Sequence, residues 1–177
     1  MRLDRSTIVV LNGPLGIGKS TLTEALSESI DQCVALDADH LVAANPPPAD
    51  EIGYLHSTLA LLIEHHRRHG YRHFVINHIW RTPAELGDLL RTLRELDPDA
   101  AVHCFLLTLP LDANLQRIER RGRARAIDER DFEATTVLEE RTALFESESR
   151  DLGEPFDVSS PPDELVARIL ARLAGPN

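Results

Sequence analysis

Residues 13–20 read GPLGIGKS, directly after TIVVLN at 7–12 and directly before a stretch with helical spacing. A strand, a glycine-rich loop and a helix in this order are the context that GxxxxGK[ST] requires, and no other feature limits the fold of this chain as much. With the chain's own residue frequencies a chance match is expected only on the order of once in several thousand such sequences. The chemistry explains the spacing. Glycines let the backbone of Gly13, Pro14, Leu15, Gly16, Ile17, Gly18, Lys19, Ser20 and Thr21 curl its N–H groups around a phosphate, and the helix N-terminus adds a positive dipole end. Lys19 can bridge β- and γ-phosphates and the Ser20 hydroxyl can ligate Mg²⁺, so ATP and Mg²⁺ are the expected ligands. The alternative is a glycine turn with no ligand.

Composition narrows what the loop can serve. Of the 19 basic residues 18 are arginine and one, Lys19, is lysine. A guanine-reading NKxD loop or a Schiff-base enzyme needs a second lysine, so both are excluded. Codon bias toward arginine explains the general trend, but arginine and lysine are not interchangeable where a compact ammonium is wanted. The formal charge of −10 is the wrong sign for a protein that lives on nucleic acid or anionic membranes. Cys33 and Cys104 form no CxxC and suggest neither a disulfide scaffold nor a zinc knuckle. No run approaches the ~20 apolar residues of a membrane span, and the N-terminus does not resemble a signal peptide. A cytoplasmic protein is expected.

The length of 177 residues suits one domain. TIVVLN is apolar without alternation, which suits a strand buried on both faces of a parallel sheet. Helical spacing follows from Lys19 to Ile30, then a second strand, CVALD, and a proline-rich turn at 46–48. A helix is expected over about 50–69, burying Leu55, Leu59, Leu62 and Ile63 and exposing His65, His66, Arg67 and Arg68. HFVINHI at 73–79 is a third strand. Thr82, Pro83 and Glu85 spell a capping box opening a helix to about Leu96. AVHCFLLTL at 101–109 is a fourth strand, followed by helices from about Leu111 and about Asp131, a short strand near FDVS and a last helix in PDELVARILARL. Five strands, each followed by helix, indicate an α/β fold with a five-stranded parallel sheet covered on both faces.

The carboxylates of VALDAD end the second strand, which is expected beside the strand of the phosphate loop. Ligands gather at such strand ends. Asp37 and Asp39 would supply one carboxylate near Mg²⁺ and one to accept a proton from an acceptor hydroxyl or to fix its position; spacing does not decide which does which. Loop capping before His40 is the structural alternative. LNGPLGIGKSTLTEAL followed by LDADHL resembles the start of the small P-loop kinases of the shikimate, gluconate and adenylyl-sulfate kinase type and of chloramphenicol phosphotransferase. That resemblance implies a three-layer P-loop NTPase fold, nucleoside-monophosphate-kinase-like, with Asp37 as base or Mg²⁺-side carboxylate and Asp39 as a substrate contact. LTLPLDANLQRIERRGR resembles the strand, helix and arginine run leading into the lid of those kinases. The third strand ends in Asn77 and His78 where many ATPases have an aspartate, which puts more weight on Asp37 for the metal. The spacing through IWRTPAELGDLLRTLR also resembles the tunicamycin-resistance group.

Between Arg117 and Arg130 six arginines face three acids, a local +3 in a chain that elsewhere carries −13. This arginine-rich lid, about 120–130, would take polyphosphate. Arg117 and Arg121 share a helix face and are expected at the nucleotide, with Arg123 or Arg125 closing on the γ-phosphate and Arg125 stabilising the transferring charge; a solvated basic helix end is the alternative. His78 and Trp80, near strand ends, are expected with Asp39 to line the acceptor pocket, although Trp80 also suits packing. Few cations lie in residues 37–66, so the acceptor is expected to be a small, neutral or singly charged hydroxylated molecule. At this length there is little room for the extra domains of an ATP-driven machine. A phosphotransferase acting on an alcohol group therefore leads, with an ATP-binding resistance or regulatory protein that binds a small ligand without phosphorylating it as the alternative.

Overall fold

The computed structural model describes the backbone of residues 1–122, 127–145 and 151–174, with side chains throughout these stretches except at 121, 122, 127–131 and 134. The elements run β1 (Thr7–Asn12), α1 (Lys19–Ser29), β2 (Cys33–Asp37), α2 (Glu51–Arg68), β3 (His73–His78), α3 (Pro83–Leu96), β4 (Ala101–Thr108), α4 (Leu111–Gly122), α5 (Ile127–Phe145), β5 (Glu154–Asp157) and α6 (Pro162–Leu173), with one 3-10 turn at Ala38–His40. The five strands form a parallel sheet in the order β2-β3-β1-β4-β5.

All six residues of β1 are buried, and their alternation feeds two cores. Val9 and Leu11 pack with Leu22 and Leu26 of α1 and with Leu165, Val166 and Ile169 of α6. Ile8 and Val10 face the other way, onto Leu55, Leu59 and Ile63 of α2 and Leu86, Leu89 and Leu93 of α3. The sheet is thus covered on both faces. Leu62, expected with the buried stripe of α2, is only half-buried.

Local chemistry sets the helix starts. Thr82 accepts the N–H of Glu85 while Glu85 accepts the N–H of Thr82, completing the capping box ahead of Pro83. Asp50 caps α2 through the N–H of Gly53 at 2.9 Å. α5 begins at Ile127, four residues earlier than the apolar spacing suggested, because its first turn is the charged run IDER, which carries no apolar stripe. Among the described residues no helix is long and apolar enough to cross a membrane. Burial pushes the thiols of Cys33 and Cys104 up to about 12, which favours their protonated form.

One expectation about the sheet is corrected. β2 does not lie beside β1, because β3 lies between them. Asp37 instead pairs in register with Asn77, and His78 with Asn12. Strand order reverses at β1, so its carboxyl end lies at the switch point where open α/β sheets bind ligands.

Candidate functional site

The loop between β1 and α1 can close only with glycine at two positions. Gly16 has φ +73°, and a Cβ there would stand 2.4 Å from Ile118 of α4. Gly18 has φ +109° and caps α1 without a side chain, so no side-chain oxygen occupies the first amides of that helix. The loop's carbonyls are held by donors. Lys19 Nζ donates to Gly13 O at 2.8 Å and Pro14 O at 3.2 Å, Asn114 Nδ2 to Leu15 O at 3.1 Å, and Arg117 Nη1 to Ile17 O at 2.7 Å. Carbonyls satisfied in this way repel an approaching anion less than bare ones.

Behind the loop, Asn12 ties the ends of two strands together. Its Oδ1 accepts the Trp80 N–H at 3.0 Å, and its Nδ2 donates to Trp80 O and Leu152 O, each at 3.1 Å. In front, the Ser20 hydroxyl donates to Asp37 Oδ2 at 2.8 Å. The other oxygen of Asp37 accepts the Asp39 N–H at 3.2 Å and caps the 3-10 turn. That turn aims Asp39 at β3, where its Oδ1 lies 2.6 Å from His78 Nδ1. This hydrogen bond, with the nearby Lys19 charge adding to it, holds the Asp39 carboxyl below the usual carboxylate range.

Asp37 reaches the phosphate loop although β3 separates its strand from β1, because α1 packs over β2 and β3 and brings Ser20 across. Trp80 does not open onto this cleft. Its side chain is 0% exposed, its Nε1–H donates to His56 Nε2 at 3.1 Å, and its ring stands edge-on to His78 with centroids 5.3 Å apart.

A second cleft, of about 220 Å³, opens on the far side of the loop between Ile17, Gly18, Thr21, Arg117, Arg120, Val158 and Ser160. It is apolar at its base, where Leu22, Pro162 and Leu165 contribute. Arg117 spans it, donating from Nη1 to Ile17 O and from Nη2 to Val158 O, both at 2.7 Å. Arg117 thus clasps the phosphate loop to the segment after β5 rather than projecting freely toward a ligand. The side chain of Arg121, together with Arg123 and Arg125 in the middle of the lid at 120–130, lies outside the described residues.

Sequence reasoning missed Glu140 of α5. Its side chain is buried, with Oε2 accepting the Leu15 N–H at 2.6 Å and Oε1 lying 3.4 Å from Arg81 Nη2. The signal was present: Glu140 shares a stripe with the buried Val137 and Leu144, and a carboxylate on an apolar helix stripe needs a partner. His56 sits in the same way among the buried residues of α2.

A phosphate-binding loop at the switch point of a five-stranded parallel sheet, with carboxylates facing the start of its helix, defines a P-loop kinase-like, nucleotide-binding fold. Residues 8–147 match a family described as an AAA domain, and the chain belongs to that family. No curated protein matches the chain in sequence. Among solved structures the chain is similar to the tunicamycin resistance protein of Deinococcus radiodurans, at 19% identity and TM-score 0.67, covering 98% of each chain. It is also similar to a gluconokinase from Sinorhizobium meliloti 1021, at 20% identity and TM-score 0.66, covering 96% of this chain and 92% of that one. A third is the shikimate kinase of Bacteroides thetaiotaomicron, at 16% identity and TM-score 0.61, covering 94% and 98%. At these identities the likeness is one of fold.

Proposed function

We propose that this chain is a single-domain, intracellular phosphotransferase that moves the γ-phosphate of ATP to a hydroxyl group of a small molecule. The observation that carries the reading is the hydrogen bond from Ser20 to Asp37, 2.8 Å long, at the mouth of the phosphate loop, with Asp37 two positions before Asp39 of the Asp39–His78 pair. It joins the nucleotide side of the cleft to a set of groups able to hold an alcohol. ATP-driven motion needs no such groups.

The residues present fit a Mg²⁺ ion. Ser20 Oγ and Asp37 Oδ2 are hard oxygen donors already in contact, and Asn77, which pairs with Asp37 in register, has a buried Oδ1 without a hydrogen-bond partner. Ser20 and Asp37 would hold the ion, with phosphates and water as its remaining ligands. Bound there, Mg²⁺ would neutralise charge on the β- and γ-phosphates.

The protein groups have separable tasks. The amides of residues 16–20 and the ammonium of Lys19 bind the phosphates, Lys19 exchanging its bonds to Gly13 O and Pro14 O for phosphate oxygens. The cleft at Thr21, Arg117 and Arg120 would take the nucleobase. Arg121 and Arg125, from the lid segment, would approach the transferring phosphate. Asp39 and His78 face the acceptor, which the neighbouring gluconokinase and shikimate kinase suggest is a small polyhydroxylated molecule. The acidic overall charge supports no role on nucleic acid or membrane.

Acceptor-dependent ADP formation, measured with a panel of hydroxylated compounds on the wild type and on Lys19→Ala, tests the proposal. ADP formation that requires Lys19 and an acceptor supports it. ADP formation by Lys19→Ala at the wild-type rate overturns it. Nucleotide binding with no acceptor-dependent ADP would instead mark a protein that only binds its ligand.

A further inference from the structure

The position of His78 goes beyond the contact roles assigned so far and rests on the phosphotransferase reading. Both oxygens of Asp37 are engaged, one by the Ser20 hydroxyl and one by the Asp39 N–H. Asp39 directs its own Oδ1 to His78 Nδ1 at 2.6 Å. An ionised carboxylate is an acceptor only, so the proton in that contact belongs to Nδ1, and this contact selects the imidazole tautomer whose lone pair is on Nε2. Among the described residues no hydrogen bond reaches Nε2, and it is not among the buried side-chain atoms lacking a partner, so this nitrogen is not sealed from solvent. The ring as a whole is held firmly: the His78 side chain is 13% exposed, and Trp80, fixed by His56 and Asn12, stands against it.

We infer that His78, oriented by Asp39, is the group that takes the proton from the acceptor hydroxyl, leaving Asp37 to the metal side. His78 pairs in register with Asn12, the residue before the phosphate loop, which places it on the strand end beside the loop. In the step, the acceptor O–H bond breaks and its proton passes to Nε2. The freed oxygen pair forms a bond to the γ-phosphorus, the bond from that phosphorus to the β–γ bridging oxygen breaks, and its electron pair leaves on ADP. The imidazolium then gives its proton to water. Asp39 acts through His78 and is a positioning residue.

The experiment uses the full chain as wild type, His78→Asn, Asp39→Asn and, as a control on the exposed face of α2, His65→Asn. Calorimetric titration with ADP should give His65→Asn the wild-type affinity and should show His78→Asn still binding nucleotide, which separates the acceptor side from nucleotide binding. ADP formation from MgATP is then measured with water alone and with D-gluconate, shikimate or glycerol added. His78→Asn should lower the fastest of these rates by about 10²-fold or more, in the range expected for loss of a general base. Asp39→Asn should lower it by about 10-fold or more, as loss of a partner that fixes a ring's tautomer does elsewhere. Nitrogen-15 NMR of the imidazoles, with His78 assigned by its loss in His78→Asn, should show the Nδ1–H tautomer in the wild type and a shift toward Nε2–H in Asp39→Asn. A wild-type rate in His78→Asn, or an Nε2–H tautomer in the wild type, overturns the inference. A wild type that binds ADP but forms none above the Lys19→Ala background overturns the phosphotransferase reading and the proton transfer with it, while the tautomer still decides whether Asp39 orients the ring.

Discussion

Glu140 accepts the backbone N–H of Leu15 at 2.6 Å, so the helix that follows the arginine-rich segment grips the phosphate loop directly. The carbonyl of the same residue is held by Asn114 of α4 at 3.1 Å. Leu15 is therefore clamped from both sides by the two helices that bracket residues 123–126. Removing the carboxylate leaves a partly buried amide without its acceptor. Glu140→Ala should cost about 2 kcal/mol of stability, the worth of a hydrogen bond to a charged group, and should weaken ADP binding. Arg81→Ala should cost much less, because Arg81 is largely exposed and its contact with Glu140 is 3.4 Å long. Urea denaturation and ADP titration of the two variants check this.

Gly16 combines φ +73° with a Cβ position 2.4 Å from Ile118. Gly16→Ala should destabilise by about 2 kcal/mol or more, through left-handed strain and overlap together. Adding Ile118→Ala removes the overlap and leaves the strain. The double variant should show a coupling term in denaturation experiments, whereas two independent losses would count against direct contact.

His56 accepts the Trp80 N–H through Nε2, so it must be neutral, and burial lowers its pKa below the ordinary 6.5. Above that value the ring is neutral in both states, and the Trp80 bond contributes fully. Below it the unfolded chain takes up a proton that the folded chain resists, so stability falls as pH drops toward the lower folded value. His73 and His103 shift in the same direction through burial, so the wild type as a whole should lose stability on acidification. His56→Gln should flatten part of that loss. Denaturation curves of both proteins from about pH 7.5 to about pH 5 read the difference.

Asp37 contributes a carboxylate to the donor pair with Ser20. Asp37→Asn removes its charge while keeping its size. The Mg²⁺ concentration giving half-maximal enhancement of ATP binding should rise about tenfold, equivalent to about 1.4 kcal/mol. Titration of ATP at graded MgCl₂ measures it, and an unchanged Mg²⁺ requirement would remove Asp37 from the metal side.

Local patterns carried most of the fold in the sequence. Apolar runs marked β1 and β3, the Thr82–Glu85 capping box marked the start of α3, and GxxxxGK[ST] placed the phosphate loop between strand and helix. What stayed hidden depends on contacts between distant segments. Strand order is one: nothing within CVALD says that β3 will separate it from β1. The use of side chains is another. Arg117 looked like a ligand contact from its spacing, yet two backbone carbonyls 100 and 41 positions away occupy its guanidinium. The pairing of Asp39 with His78 also spans 39 positions and follows from the 3-10 turn, which no apolar period announces.

Trp80 is the only tryptophan in the chain, and it lies fully enclosed with its ring edge against His78 and its N–H on His56. The molecule thus carries a built-in optical probe packed directly against His78. Emission from this single indole, with no dye attached and no other tryptophan to dilute the signal, should therefore change when ADP or an added hydroxylated compound alters the charge or motion of His78.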